Sequence, residues 1–140
     1  MSPEEKLQAI SSFLCPESFR IVADFVKNMP RTSETRTICL MHKYIELLAP
    51  PIKKNDNSEL TKTLVQIRSH LCQAYSFTSA RSRLSILRSL ISQLVDEKII
   101  TDDIILPALP ISETEYEAYK TQRLPAKKLS KIQAVENLHA

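Results

Sequence analysis

The chain of 140 residues contains no glycine, where an average usage of roughly 7% would supply about ten. Turns with positive φ, phosphate-cradling loops and dinucleotide-binding fingerprints use glycine wherever the backbone must turn left-handed or approach a ligand closely. P-loop and Rossmann readings are therefore set aside. Long apolar runs are missing too: the longest is Ile38-Cys39-Leu40-Met41, far short of the roughly 20 residues of a membrane-spanning helix. Cysteine is sparse. Cys15, Cys39 and Cys72 form an odd set with no CxxC spacing, which reads as reduced thiols of a cytoplasmic or nuclear protein. The acidic start, Met1-Ser2-Pro3-Glu4-Glu5-Lys6, lacks the basic and apolar stretches of a signal peptide and is too acidic for a typical transit peptide.

What is present is helical periodicity. Ser2, Pro3 and Glu5 have the form of an N-cap, an N1 proline and an N3 carboxylate opening a first helix that ends near residues 13–15. Pro16 starts a second helix with a wide apolar stripe through Phe19, Val22 and Val26, stopping before Pro30. Thr32 or Ser33 caps a third, with Ile38, Met41, Ile45 and Leu48 on one face, and the Pro50-Pro51 pair is expected to end it. A fourth opens at Asn57 or Ser58 and a fifth at Thr78 or Ser79, and the short link between them makes the two antiparallel neighbours. Thr101-Asp102-Asp103 can cap one further turn before Pro107, and Ser112 with Glu115 matches a capping box for a short helix around Tyr116 and Tyr119. Beyond Pro125 the segment with Leu129, Ile132, Val135 and Leu138 has too little apolar surface to be a stable helix alone.

The predicted fold is all-α: a five-helix antiparallel bundle, or a short stack of helical hairpins, with a partly ordered C-terminal arm. Residues 1–105 form the helical domain, with hairpins at 16–49 and 58–97, and residues 106–140 form the proline-punctuated arm. A shift of 46 residues lays Ile21 on Ile67, Ile45 on Ile91 and Leu48 on Leu94. This period is similar to that of HEAT and armadillo repeats, although any two amphipathic hairpins can be slid into register, so bundle and stack both remain open.

Charge is uneven along the chain. Lys and Arg number 19 against 16 Asp and Glu, for a net charge of +3. Residues 1–50 balance, whereas 51–95 carry seven basic and two acidic side chains. Lys53, Lys54, Arg68, Arg81, Arg83 and Arg88 are thus candidates for contact with phosphates or an acidic partner; Arg81 and Arg83 are expected in the first turn of the fifth helix, against its dipole. The plainer reading is a solvated face that complements the chain's own acidic segment from Asp96 to Glu117.

Catalytic and metal-binding readings fare poorly. Cys39, His42, His70 and Cys72 could approach one another across a hairpin, but two-residue spacing points His70 and Cys72 to different sides of a helix, and no third group orients a Cys-His pair. No catalytic residue, cofactor or metal is therefore expected. The favoured function is a non-catalytic protein-protein interaction or adaptor subunit of a larger intracellular complex, with Leu106, Leu109, Ile111, Tyr116, Tyr119, Leu124, Leu129 and Ile132 as partner anchors; the proline-stiffened stretch from Leu106 to Ile111 either straps across the bundle or presents anchors. The alternative is a helical nucleic-acid-binding accessory subunit using the basic middle hairpin.

Overall fold

The computed structural model describes residues 1–121. They form α1 (Pro3–Ser11), α2 (Pro16–Lys27), α3 (Arg31–Lys54), α4 (Asn57–Ala74), α5 (Phe77–Asp96) and α6 (Glu113–Lys120), with no strand among them. The architecture is all-helical, as the periodicity predicts. Helix α3 is its spine, packed against α1, α2, α4 and α5, while α2 also meets α5 and α6 lies on α4.

The core follows the apolar phases. Ile10, Ile21, Val22, Met41, Ile45, Leu48, Leu64, Ile67, Leu87 and Ile91 belong to one buried cluster. The 46-residue register places buried residue on buried residue: Ile21 on Ile67, Ile45 on Ile91, Leu48 on Leu94. Into this core the fold also sets a polar pair. The Tyr44 hydroxyl and His70 Nδ1 are 2.5 Å apart, with the rings edge to face at 5.6 Å, joining α3 to α4.

Several boundaries differ from the sequence reading. Helix α1 stops at Ser11 rather than near residues 13–15, where the Ser11 and Ser12 hydroxyls donate to the carbonyls of Gln8 and Ala9 and compete with continued helix. Helix α3 starts at Arg31, with the Pro30 carbonyl accepting from the amides of Ser33 and Glu34, so Thr32 and Ser33 lie within its first turn and do not cap it. The Pro50-Pro51 pair does not end α3, which runs on to Lys54. The two prolines remove the amide donors that would have bonded the carbonyls of Glu46 and Leu47, and Ala49, Pro51 and Ile52 are buried there, so packing offsets the loss. Asp56 caps α4 through its side chain, and Ser76 precedes α5, each ahead of the expected cap.

Without glycine, two other residues take left-handed backbone: Asn55 (φ 52°) and Lys98 (φ 63°). Each closes a helix with a bond spanning five residues, Asp56 N–H to the Pro51 carbonyl and Ile99 N–H to the Leu94 carbonyl, both at 2.9 Å. This is the Schellman closure that glycine usually serves. Asn tolerates the left-handed region; Lys pays for its Cβ, at about 1 kcal/mol. Lys98→Gly is accordingly expected to raise the thermal midpoint by about 2–5 °C, read by calorimetry, whereas Asn55→Gly has little to gain.

The two closures meet. Asn57 Nδ2 donates to the Thr101 carbonyl and hydroxyl and to the Asp103 carboxylate, which also accepts from the Thr101 hydroxyl at 2.6 Å. These bonds hold the Asp103 carboxyl below its ordinary pKa, Thr101 contributing most. They also divert Thr101 and Asp103 from capping, so the expected turn through Ile104 and Leu106 is absent and the chain runs on without regular structure to Ser112. That residue caps α6 by accepting from the Glu115 amide, while the Glu115 carboxylate reaches the Ile111 amide. No helix among the described residues is long and apolar enough to cross a membrane.

Candidate functional site

The stretch from Ile104 to Thr121 is a strap laid along α4 and the start of α5. Its backbone is pinned at carbonyls: Thr61 donates to Ile105, Arg68 to Ala108 and Arg81 to Pro110, at 2.8, 3.0 and 3.0 Å. Pro107 and Pro110 are buried beneath it. Helix α6 continues the docking, with the Tyr116 hydroxyl donating to the Tyr75 carbonyl and its ring edge-on to Phe77. Tyr119 lies 3.6 Å from the Arg68 guanidinium.

The proposed partner anchors therefore fall into three groups. Tyr116 is buried in the chain's own core cluster, and Leu106, Leu109 and Tyr119 pack half-buried against it. Ile111 stands 75% exposed, and so does its neighbour Ile105 at 73%, a residue the sequence reading passed over. Leu124, Leu129 and Ile132 lie outside the described residues.

The six candidate phosphate contacts do not form one patch. Lys53 and Lys54 close α3, whereas Arg81 and Arg83 lie beyond the far end of α4, an 18-residue helix about 27 Å long. Because α5 opens at Phe77, Arg81 and Arg83 stand in its second turn, where the dipole has faded. Arg68 is only 8% exposed; burial pushes its pKa down, while Tyr119, Cys72 and Glu115 pull it up. Arg68 and Arg81 bind strap carbonyls, so the acidic segment is held through its backbone at these points. Arg88 lines a shallow hollow with Ser85, Ser89, Ser92 and Leu106.

A different set of cations does converge. Lys6 from α1, Arg36 and Lys43 from α3 and Arg83 from α5 line a groove of about 600 Å³ that has no Asp or Glu in its walls among the described residues. Arg36, Cys39 and Lys43 share one face of α3, at i, i+3 and i+7. Lys6 Nζ donates to Cys39 Sγ at 3.3 Å, which sets the ammonium midway along that face. Lys43 and Arg83 both rest on the Tyr75 ring, 5.8 and 4.0 Å from its centroid, and Arg83 also donates to the Ser79 carbonyl. The sequence reading missed Lys6, Arg36 and Lys43 because residues 1–50 sum to zero charge; the i, i+7 phase of Arg36 and Lys43 was the available signal.

The four residues weighed for zinc or thiol chemistry go separate ways. Cys39 and His42 line the groove, His70 is engaged with Tyr44 in the core, and Cys72 is buried, which pushes its thiol pKa up. Cys15, by contrast, is exposed, and its hydrogen bond with Ser18 lowers its pKa. No protein-family model matches the chain, and neither the curated proteins nor the solved structures contain a significant match.

Proposed function

We propose that the chain is a non-catalytic protein-protein interaction module, an adaptor subunit of a larger complex in the cytoplasm or nucleus. The observation that supports this reading is the pair Ile105 and Ile111, large aliphatic side chains held in solvent at 73% and 75% exposure on a backbone that is already fixed. Thr61 and Arg81 hold the Ile105 and Pro110 carbonyls, and the Glu115 carboxylate holds the Ile111 amide. Anchors on an ordered backbone lower the entropy cost of binding, and burial of apolar surface is the main driving force of most protein–protein association.

Affinity purification of the tagged full chain from its own cells, with and without nuclease, tests this against Ile105→Asp/Ile111→Asp. Stoichiometric, nuclease-resistant partners that the double variant loses are the expected result. Partners that disappear with nuclease and ignore the double variant would move the function to nucleic acid.

A further inference from the structure

The groove between α1, α3 and α5 concentrates like charge on one concave surface, which costs self-repulsion and focuses a positive field outward. Among the described residues no carboxylate lines it, and none of residues 96–121 reaches it, so the acidic strap does not neutralise it. Three of its four cations are held in place: Lys6 on Cys39, Lys43 and Arg83 on Tyr75, Arg83 again on Ser79. We infer that this groove is a binding site for an acidic segment of a partner protein, a run of Asp or Glu side chains laid along α3 from Arg36 to Lys43.

The spacing of the charges selects the occupant. Arg36 and Lys43 are two helical turns apart, about 10 Å, with Lys6 between them. A single oxyanion meets one end of such a row. An extended peptide advances about 3.3 Å per residue, so roughly three to four residues cover the row, and because every second side chain faces the same way, carboxylates two residues apart, roughly 7 Å, reach separate cations along it. Single-stranded nucleic acid matches the charge but also seeks aromatic faces for its bases. Here Tyr44 is buried and Tyr75 is half-buried with Arg83 stacked on it. The arginines add planar donor pairs suited to carboxylates.

The proposal is independent of Ile105 and Ile111, which lie outside the groove walls. It is tested on the full chain with a fluorescein-labelled oligoglutamate peptide, by anisotropy at near-physiological salt. Arg36→Glu/Lys43→Glu is expected to weaken binding by at least about tenfold, while Lys62→Glu/Lys98→Glu, with the same charge change at exposed positions outside the groove walls, leaves it within about twofold. Arg36→Gln, an exposed single change, should give an intermediate loss and serves if the double variant fails to fold by circular dichroism. Absence of oligoglutamate binding, or equal losses in the two charge-reversed variants, overturns the site. Tighter binding of oligothymidylate than of oligoglutamate overturns the choice of a protein ligand. Displacement by inorganic phosphate beyond that by sodium chloride of equal ionic strength overturns the extended occupant in favour of a single oxyanion.

Discussion

Tyr44→Ala is expected to leave the chain close to unfolded at ambient temperature. The side chain is fully buried and sits in α3, the helix that meets α1, α2, α4 and α5. Removing a buried aromatic ring costs about 3–5 kcal/mol, and taking away a hydrogen-bonding partner of a buried group adds about 1–3 kcal/mol. The sum approaches the whole stability of an ordinary domain, about 5–15 kcal/mol. Tyr44→Phe separates the two contributions, since it keeps the ring and its edge-to-face packing on His70 while deleting the hydroxyl; a loss of about 1–3 kcal/mol is expected. Urea titrations followed by circular dichroism measure both. A Tyr44→Phe variant as stable as the parent would show that the Tyr44–His70 bond contributes nothing net.

That pair also marks where sequence reading stops. Tyr44 falls one residue short of Ile45 in the α3 stripe, and His70 sits beside Leu71 on α4, so each looks like the flank of an apolar face. Their burial depends on α3 being surrounded on several sides, a property of the assembly that a one-face periodicity does not encode. The helices themselves were legible because their apolar phases, prolines and Ser or Asp starts agree with one another. The ends were less so. The Pro50-Pro51 pair is a strong local stop that burial of Pro51 and Ile52 overrides, and Thr101-Asp102-Asp103 is a strong local start that Asn57, more than 40 residues away, diverts.

The candidate sites were legible to a lesser degree, for a related reason. Counting charge by segment drew attention to the middle hairpin, yet the folded chain assigns Arg68 and Arg81 to the strap and lends Arg83 to a groove whose other cations come from the charge-balanced first third. Local sums fail because the groove is built from α1, α3 and α5. The anchors show the complementary effect. Of two readings open for Leu106 to Ile111, a strap or anchors presented to another protein, the fold shows the strap, with Leu106 and Leu109 half-buried against the core and Pro107 and Pro110 buried, while Ile111 and the neighbouring Ile105 are left exposed.

Arg68→Ala is expected to release the strap while leaving α1 to α5 folded. The guanidinium makes a charge-assisted bond to the Ala108 carbonyl and stacks on Tyr119; a bond from a charged donor is worth about 1.5–3 kcal/mol and a desolvated cation–π contact about 2 kcal/mol. Against this stands the cost of burying the guanidinium, the same burial that pushes its pKa down, so a net local loss of about 2–3 kcal/mol is reasonable. Amide exchange along residues 105–120 should then accelerate by about 30- to 150-fold, with the amides of α3 and α4 changing far less. Arg68→Lys keeps the charge but loses the planar fork that stacks on Tyr119 and reaches Ala108 together, so it should behave more like alanine than like arginine. Because the Tyr116 hydroxyl is bonded to the Tyr75 carbonyl while the Tyr75 ring carries Lys43 and Arg83, a released strap also loosens one wall of the cationic groove. Unchanged exchange along the strap in Arg68→Ala would mean that Arg81 and Tyr116 suffice to hold it.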